Sequence, residues 1–137
     1  MNYRCFLFSI FIISTMLFGC RKLDYSSELS KLIERELGSS LCSYEMIILI
    51  PGTGCTGCIT NAESYFSNNI NNKKLLFILT NNYSEKGLAL RLGKDNISKS
   101  NVIIDREDIY YLKDYEEKIY PIIVKISDGK IIQMQQL

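Results

Sequence analysis

Cys55 and Cys58 are the residues of this 137-residue chain whose type and spacing most directly suggest chemistry. They occur in the stretch MIILIPGTGCTGCITNAESYF, numbered 46–66, where an apolar run ends in a proline and a glycine-rich turn. Two thiols at this spacing can form a redox pair, hold a metal ion or act as an inert staple. In a redox pair one thiolate attacks a disulfide and the second thiol resolves the mixed disulfide.

The composition of the chain favours the redox interpretation. A staple across so short a loop gains little stability, since the entropic effect of a cross-link grows with loop length. Structural zinc takes four ligands, and the chain has no histidine and no second CxxC motif, so we predict no such metal site. Binding of Cu(I) by two thiolates is a minor alternative. The redox interpretation requires no organic cofactor.

The position of the pair relative to a helix decides which thiol attacks. If a helix begins near Cys55, its unpaired N–H groups and positive dipole end lower the pKa of that thiol. Cys58 then lies one turn further along the same face, where it can resolve the mixed disulfide. We expect Gly52, Gly54 and Gly57 to leave the sulfurs accessible to an incoming disulfide, since they carry no side chain. Gly54, Thr56 and Gly57 are the predicted substrate-binding residues beside the pair.

The rest of the pattern predicts an α/β protein with a mixed sheet and flanking helices. Three short apolar runs have the character of buried strands, namely 44–50, 74–80 and 101–105. Helical spacing or helix signals mark 24–40, begun by Ser26 or Ser27 and ended by Gly38, the residues after Cys58, and 84–93. Runs 121–126 and 131–135, joined by Asp128-Gly129, predict a C-terminal β-hairpin. Segment 106–120 fits either a helical face or a loop.

This order of elements resembles the thioredoxin fold over about residues 44–135. The stretches NVIIDRE and YPIIVKISDGKII are most similar to its extracytoplasmic thiol–disulfide oxidoreductase and redoxin branch. The resemblance implies that Cys55 attacks, that Cys58 resolves, and that Tyr120 and Pro121 shape a groove for protein disulfide or dithiol substrates. It further implies a cis Tyr120–Pro121 peptide bond, with the Tyr120 backbone paired to the substrate. A reductase of this kind would also need a membrane electron-relay partner.

The chain also departs from that family. Gly54 and Thr56-Gly57 replace the usual Trp and Gly-Pro. Leu49 stands where the family has a buried acid, so proton transfer must use water, Glu45 or nothing. The peroxidatic Thr/Pro-rich motif is missing. We expect no final helix, so that either the helix at 24–37 or a partner covers one sheet face. A second hypothesis is therefore a non-catalytic thioredoxin-fold lipoprotein that acts as a binding module.

The first nineteen residues predict a cleaved secretory signal. A short basic start precedes an apolar run at 5–18, and about fourteen residues span roughly 21 Å as a helix, short of the ~30 Å hydrocarbon core. The following Leu17-Phe18-Gly19-Cys20 resembles a bacterial lipobox, which implies lipidation of Cys20 and anchoring in the cell envelope, facing the periplasm. Simple secretion and an uncleaved anchor are the alternatives. The predicted organisation is a signal peptide at 1–19, a lipidated N-terminus with an amphipathic helix at 20–40, and a thioredoxin-like domain at 41–137.

The charge of the processed chain argues against nucleic-acid binding. Cleavage would remove Arg4 and leave 15 basic and 15 acidic side chains.

Cys42 and the tyrosines give two further predictions. Cys42 precedes a strand of about 20 Å that separates it from the Cys55–Cys58 pair, which is too far for a disulfide. We therefore predict that Cys42 is a small buried apolar residue. The tyrosines at 110, 111, 115 and 120 form either an aromatic sugar- or peptide-binding surface or, more commonly, ordinary packing.

Overall fold

The structure is a computed structural model that describes residues 24–82 and 84–137. The predicted signal at 1–19 and the lipidation candidate Cys20 lie outside the described residues. Within the described ranges no helix is long and apolar enough to cross a membrane.

A five-stranded mixed sheet in the order β3-β2-β1-β4-β5 forms the centre of the fold. Its strands are β1 (Met46–Pro51), β2 (Leu75–Thr80), β3 (Val102–Ile104), β4 (Ile122–Ser127) and β5 (Lys130–Gln136). Strands β1, β2 and β3 run parallel to one another, whereas β4 is antiparallel to β1 and β5 is antiparallel to β4. All of β2 and nearly all of β1 are buried, as expected for central strands that are covered on both faces. The predicted strands and hairpin are confirmed.

Among the described residues, four helices and two short 3-10 segments flank this sheet. They are α1 (Tyr25–Leu37), α2 (Thr56–Asn69), α3 (Glu85–Leu92) and α4 (Lys94–Ile97), with 3-10 turns at Gly38–Ser43 and Glu116–Ile119. The N-cap of α1 is Asp24 rather than a serine, and Gly38 ends it with a φ of 48°. Segment 106–120 consists mainly of turns, so the loop interpretation is the correct one.

Helices cover both faces of the sheet. On one face, Leu29, Leu32 and Ile33 of α1 pack against inward-facing residues of β1, β2 and β4. On the other face, Phe66 of α2 and Leu88 of α3 pack against the opposite side of β1 and β2. The sequence left open whether the helix at 24–37 or a partner covers one face of the sheet. Helix α1 covers that face.

The start of α1 also contacts the segment that leads into β4. The rings of Tyr25 and Tyr115 lie 5.5 Å apart, edge to face, and the Tyr115 hydroxyl donates a hydrogen bond to Glu28. Burial, with a smaller effect of Glu117, raises the pKa of Tyr25 to about 12. The hydrogen bond to Glu28 is the main reason why the pKa of Tyr115 also rises to about 12. Because a phenol is already neutral at physiological pH, the raised pKa values extend the pH range over which both hydroxyls stay protonated.

Packing accounts for at least two of the four tyrosines near the end of the chain. Tyr110 is buried in the same core as α1, and Tyr115 packs on Tyr25. Tyr111 and Tyr120 are half-buried, and the Lys118 ammonium lies 5.9 Å from the Tyr111 ring centroid. Core packing is therefore the observed role of Tyr110 and Tyr115.

The prediction that Cys42 is buried is wrong. Its thiol is free and exposed. The 3-10 segment that carries it buries Leu41 instead, and its sulfur lies beside Gly129 in the hairpin turn. That turn has positive φ at Asp128 and Gly129, the conformation that a tight two-residue hairpin requires.

The packing of α1 on the sheet predicts a strong effect of Leu29→Ala. Leu29 is fully buried, so its truncation should lower the free energy of unfolding by about 2–5 kcal/mol, measured by urea denaturation. Leu90→Ala is the matched control because Leu90 is 80 % exposed, and its effect should stay within about 0.5 kcal/mol. Equal effects of the two substitutions would show that α1 does not cover the sheet.

Candidate functional site

Cys55 and Cys58 lie where β1 leads into α2, at the edge of the sheet formed by the carboxyl ends of the parallel strands. They form a disulfide, and their Cα atoms are 5.3 Å apart. Cys55 is the N-cap residue of α2, and its carbonyl accepts a hydrogen bond of 2.9 Å from the Ile59 amide. Both cysteines are half-buried. The prediction that a helix begins at the first cysteine is confirmed.

The start of α2 gives the pair a polar, open environment. The first amides of a helix have no partner within it, and here they follow Cys55 directly. The first turn carries no acidic residue, so nothing on the helix itself offsets the positive end of its dipole. Thr56 and Gly57 are exposed, and a Cβ at position 57 would have no atom within 4 Å. The chain therefore leaves this side of the disulfide accessible.

The other side of the pair contacts the chain that precedes β4. The Cys55 amide donates a hydrogen bond of 3.1 Å to the carbonyl of Ile119. Gly54 has a φ of +143°, and a Cβ at this position would lie 2.8 Å from the Cα of Ile119. Glycine is required here both for the backbone conformation and for the close approach. This contact brings Gly54 and Cys55 next to the segment that contains Tyr120 and Pro121.

The expected cis peptide bond is not present. The Tyr120–Pro121 bond is trans, the isomer that is ordinarily lower in free energy. Pro121 is buried and Tyr120 is half-buried. The Tyr120 amide donates to the carbonyl of Glu117 at 3.0 Å, so this N–H group is already used within the chain. Only the carbonyl of Tyr120 can still be offered to a substrate backbone.

Glu45 is excluded as a proton acceptor for the pair. It precedes β1, whereas the cysteines follow β1, and a six-residue strand is about 20 Å long. Glu45 is exposed, and its carboxylate lies 3.8 Å from the Lys74 ammonium. Leu49 is buried within β1 and has no ionisable group. With Glu45 excluded, water or no acceptor at all are the alternatives that remain from the sequence.

A hydrogen-bonded turn beside the cysteines was not among the predicted site residues. The side chain of Asn81, which is 8 % exposed, donates through Nδ2 to the Oγ1 of Thr53. Its backbone N–H donates to Oδ1 of Asp108 at 2.9 Å. Asn81 has a φ of +51°, an uncommon conformation for a residue other than glycine. Asn81 therefore connects the turn before Cys55 to the loop after β3.

Asp105 holds the loop after β3 through hydrogen bonds. This buried carboxylate accepts a hydrogen bond of 2.8 Å from the Thr80 hydroxyl. It also accepts hydrogen bonds from the amides of Ile109 and Tyr110, at 2.9 and 2.8 Å. Thr80 ends β2, and Asp105 follows β3, so both lie at the same sheet edge as the cysteines. The sequence signal that could have identified this group is the presence of polar residues at the ends of neighbouring parallel strands.

The geometry, rather than any known relative, defines the class of this domain. No family model, curated protein or solved structure matches the chain. In the described ranges no group of three or more His, Cys, Asp or Glu side chains is placed to hold a metal ion. The mixed five-stranded sheet, the terminal hairpin and the Cys55–Cys58 disulfide at a strand-to-helix turn define a thioredoxin-like α/β domain with a CxxC disulfide.

The contact between Gly54 and Ile119 predicts that Gly54→Ala destabilises the protein. A Cβ would overlap the Ile119 backbone and the positive φ would be strained, so we expect a loss of about 1–3 kcal/mol. Gly57→Ala is the matched control, because it adds the same methyl group in open space within a helix and should leave stability equal or higher. Urea unfolding of the oxidised proteins measures both. A Gly54→Ala protein as stable as Gly57→Ala would contradict the close contact.

Proposed function

We propose that this chain exchanges disulfides with protein substrates through Cys55 and Cys58, from a lipid anchor in the bacterial cell envelope. The observation that carries the proposal is the CxxC disulfide at the N-terminus of α2, half-buried and accessible on the side of Thr56 and Gly57. Helix N-termini stabilise thiolates, and the thiolate is the form that attacks a disulfide.

The proposed exchange proceeds in two steps. In the reduced protein, the Cys55 thiolate attacks one sulfur of a substrate disulfide, the substrate S–S bond breaks, and one substrate thiolate leaves. Cys58 then loses its proton to water and attacks the Cys55 sulfur of the mixed disulfide. The second substrate thiolate leaves, so two electrons have passed to the substrate and the Cys55–Cys58 disulfide has formed. The reverse sequence oxidises a dithiol substrate. A reductase would be returned to its dithiol form by a dithiol electron-relay partner in the membrane.

The surroundings of the pair suit an extended protein substrate. Gly54, Thr56 and Gly57 place little bulk around the sulfurs, and the segment before β4 lies directly alongside. Tyr120 has extended backbone angles, with φ −105° and ψ 142°. Its carbonyl would accept one hydrogen bond from the backbone of a substrate chain, and Pro121 would form the floor of the groove. Backbone pairing of Tyr120 with a substrate would therefore use its carbonyl alone, since the Tyr120 amide is already bound.

Leu49 gives a specific reason to keep the second function, a binding module that retains the fold without catalysis. Its buried apolar side chain occupies the place of the acid that assists the resolving thiol in the family that the chain resembles. A protein of this kind would bind its partner with the Cys55–Cys58 disulfide intact. The two functions therefore differ in whether Cys55 is reactive.

Trapping of mixed disulfides tests the proposed exchange in the full-length chain in its membrane. Cys58→Ser should accumulate mixed disulfides through Cys55, because the resolving thiol is missing, and Cys55→Ser should not. Both variants should also carry Cys42→Ser, since the exposed Cys42 thiol would otherwise form adducts of its own. Non-reducing electrophoresis with mass spectrometry identifies the adducts.

The pH dependence of alkylation provides a second measure of the same thiol. In the reduced wild-type chain, the alkylation rate of Cys55 should show a pKa well below ~8.5, with Cys58 reacting more slowly. No trapped adducts, together with a Cys55 pKa at or above that value, would contradict exchange and favour the binding module.

The membrane anchor is proposed from the resemblance of 17–20 to a lipobox. Expressed in a bacterium with a labelled fatty acid, the full-length chain should incorporate label and sediment with membranes, whereas Cys20→Ser should do neither. Cys42→Ser is the control for loss of an accessible cysteine elsewhere. Label that persists in Cys20→Ser would contradict lipidation at Cys20.

A further inference from the structure

We propose that the hydrogen bond between Asn81 and Thr53 is a positioning contact that fixes the turn before Cys55 and so controls the reactivity of that thiol. This inference rests on the proposed function of the pair. Asn81 and Thr53 lie outside the CxxC motif, and neither residue takes part in the bond-forming or bond-breaking steps of the exchange.

The turn that needs positioning consists of Gly52, Thr53 and Gly54. Its ends are held by backbone hydrogen bonds, from the Gly52 amide to the Thr80 carbonyl at 2.8 Å and from the Cys55 amide to the Ile119 carbonyl at 3.1 Å. Two of its three residues are glycines, which have the widest backbone freedom. Thr53 is therefore the only residue of the turn whose side chain can hold it by hydrogen bonding.

Asn81 is well suited to hold Thr53 because its own position is fixed. It is buried, and its N–H group is bound to Asp108 while its side-chain amide reaches Thr53. Its left-handed φ is one that Asn tolerates better than most residues. The two turns also approach closely, since a Cβ on Gly52 would lie 2.6 Å from Oδ1 of Asn82.

The support for Asn81 continues to the interior of the fold. Asp105 accepts hydrogen bonds from Thr80 and from two amides of the following loop, which sets the course of that loop. Asp108, on the same loop, then accepts from the Asn81 amide. A buried carboxylate at the end of β3 is thus linked to Thr53, two residues before the reactive cysteine.

The consequence for Cys55 follows from the short range of the helix dipole. The positive end of α2 stabilises the thiolate only while the sulfur stays near the first turn of the helix. Without the bond to Asn81, the glycine-containing turn can sample other conformations, and the sulfur spends less time there. The pKa of the Cys55 thiol should then rise, and its reactivity at neutral pH should fall.

A pair of substitutions at Thr53 isolates the hydrogen bond, measured on the reduced full-length chain. Thr53→Val keeps the shape but removes the acceptor, and should slow Cys55 alkylation at pH 7 by about three- to tenfold, with a higher pKa. Thr53→Ser keeps the hydroxyl and should restore the wild-type pH profile. Asn81→Gly keeps the positive φ, loses the amide and should match Thr53→Val, with no further loss when the two are combined.

A control and a second readout separate positioning from general destabilisation. Asn96→Ala removes a half-buried amide hydrogen bond of 2.9 Å to the Leu92 carbonyl, away from the cysteines, and should leave the pH profile unchanged. Hydrogen exchange of the Cys55 amide should be faster in Thr53→Val than in Thr53→Ser, a readout that does not depend on disulfide exchange.

Different results would overturn the positioning role of Thr53 and Asn81 and the proposed disulfide exchange. Equal pH profiles and equal amide exchange in Thr53→Val and Thr53→Ser would overturn the positioning role even if the wild-type chain traps substrates. An equal shift of the profile in Asn96→Ala would overturn it as well, because the effect would then be one of stability. A wild-type chain that neither traps substrates nor has an acidic Cys55 would instead overturn the proposed function, and with it the control of reactivity.

Discussion

The antiparallel pairing of β1 with β4 is the constraint on which the rest of the site depends. Leu49 pairs with Ile122, so the chain that leaves the end of β1 and the chain that enters the start of β4 must meet at the same sheet edge. Cys55 leaves on one side of this junction and Ile119 arrives on the other, and a single backbone hydrogen bond joins them. The cysteines and the Tyr120–Pro121 segment are neighbours in space because of this register, although some 60 residues separate them in sequence.

The same central strand explains how the domain is built. β1 lies between the parallel half and the antiparallel half of the sheet, and both of its faces are covered. Helix α1 buries one face and α2 with α3 the other. The turn after the strand is short and contains two glycines, and it places the cysteines at the surface. Side chains from neighbouring loops contact this turn through the hydrogen bond from Asn81 to Thr53.

Those contacts come from the ends of the other parallel strands. Asn81 follows β2 and Asp105 follows β3, and both are buried polar residues with hydrogen-bond partners. Burial of polar groups is costly unless they are paired, so such a group is ordinarily retained where its bonds hold a specific conformation. Here the conformations that are held include the left-handed backbone of Asn81 and the loop beside the turn of Thr53. The polar groups that follow β2 and β3 thus hold the loops beside the turn that follows β1.

Much of the fold and part of the site could be predicted from the sequence. The buried strands, the hairpin and the helix after Cys55 depend on local features, namely apolar runs, the Asp-Gly turn and helical spacing, and these predictions are confirmed. The start of α1 and the exposure of Cys42 were predicted incorrectly. In both cases the local sequence allowed more than one arrangement, and packing against distant residues decided between them.

The sequence by itself determined which atoms can do chemistry. A CxxC pair after a buried strand places its two sulfurs within reach of one another, whatever the fold of the rest of the chain. Only the tertiary structure decided what surrounds them. The bond from the Cys55 amide to the Ile119 carbonyl and the hydrogen bonds of Asn81 to Thr53 and Asp108 all join residues far apart in the chain. Such contacts arise from strand register and core packing, and no local pattern of residue types specifies them.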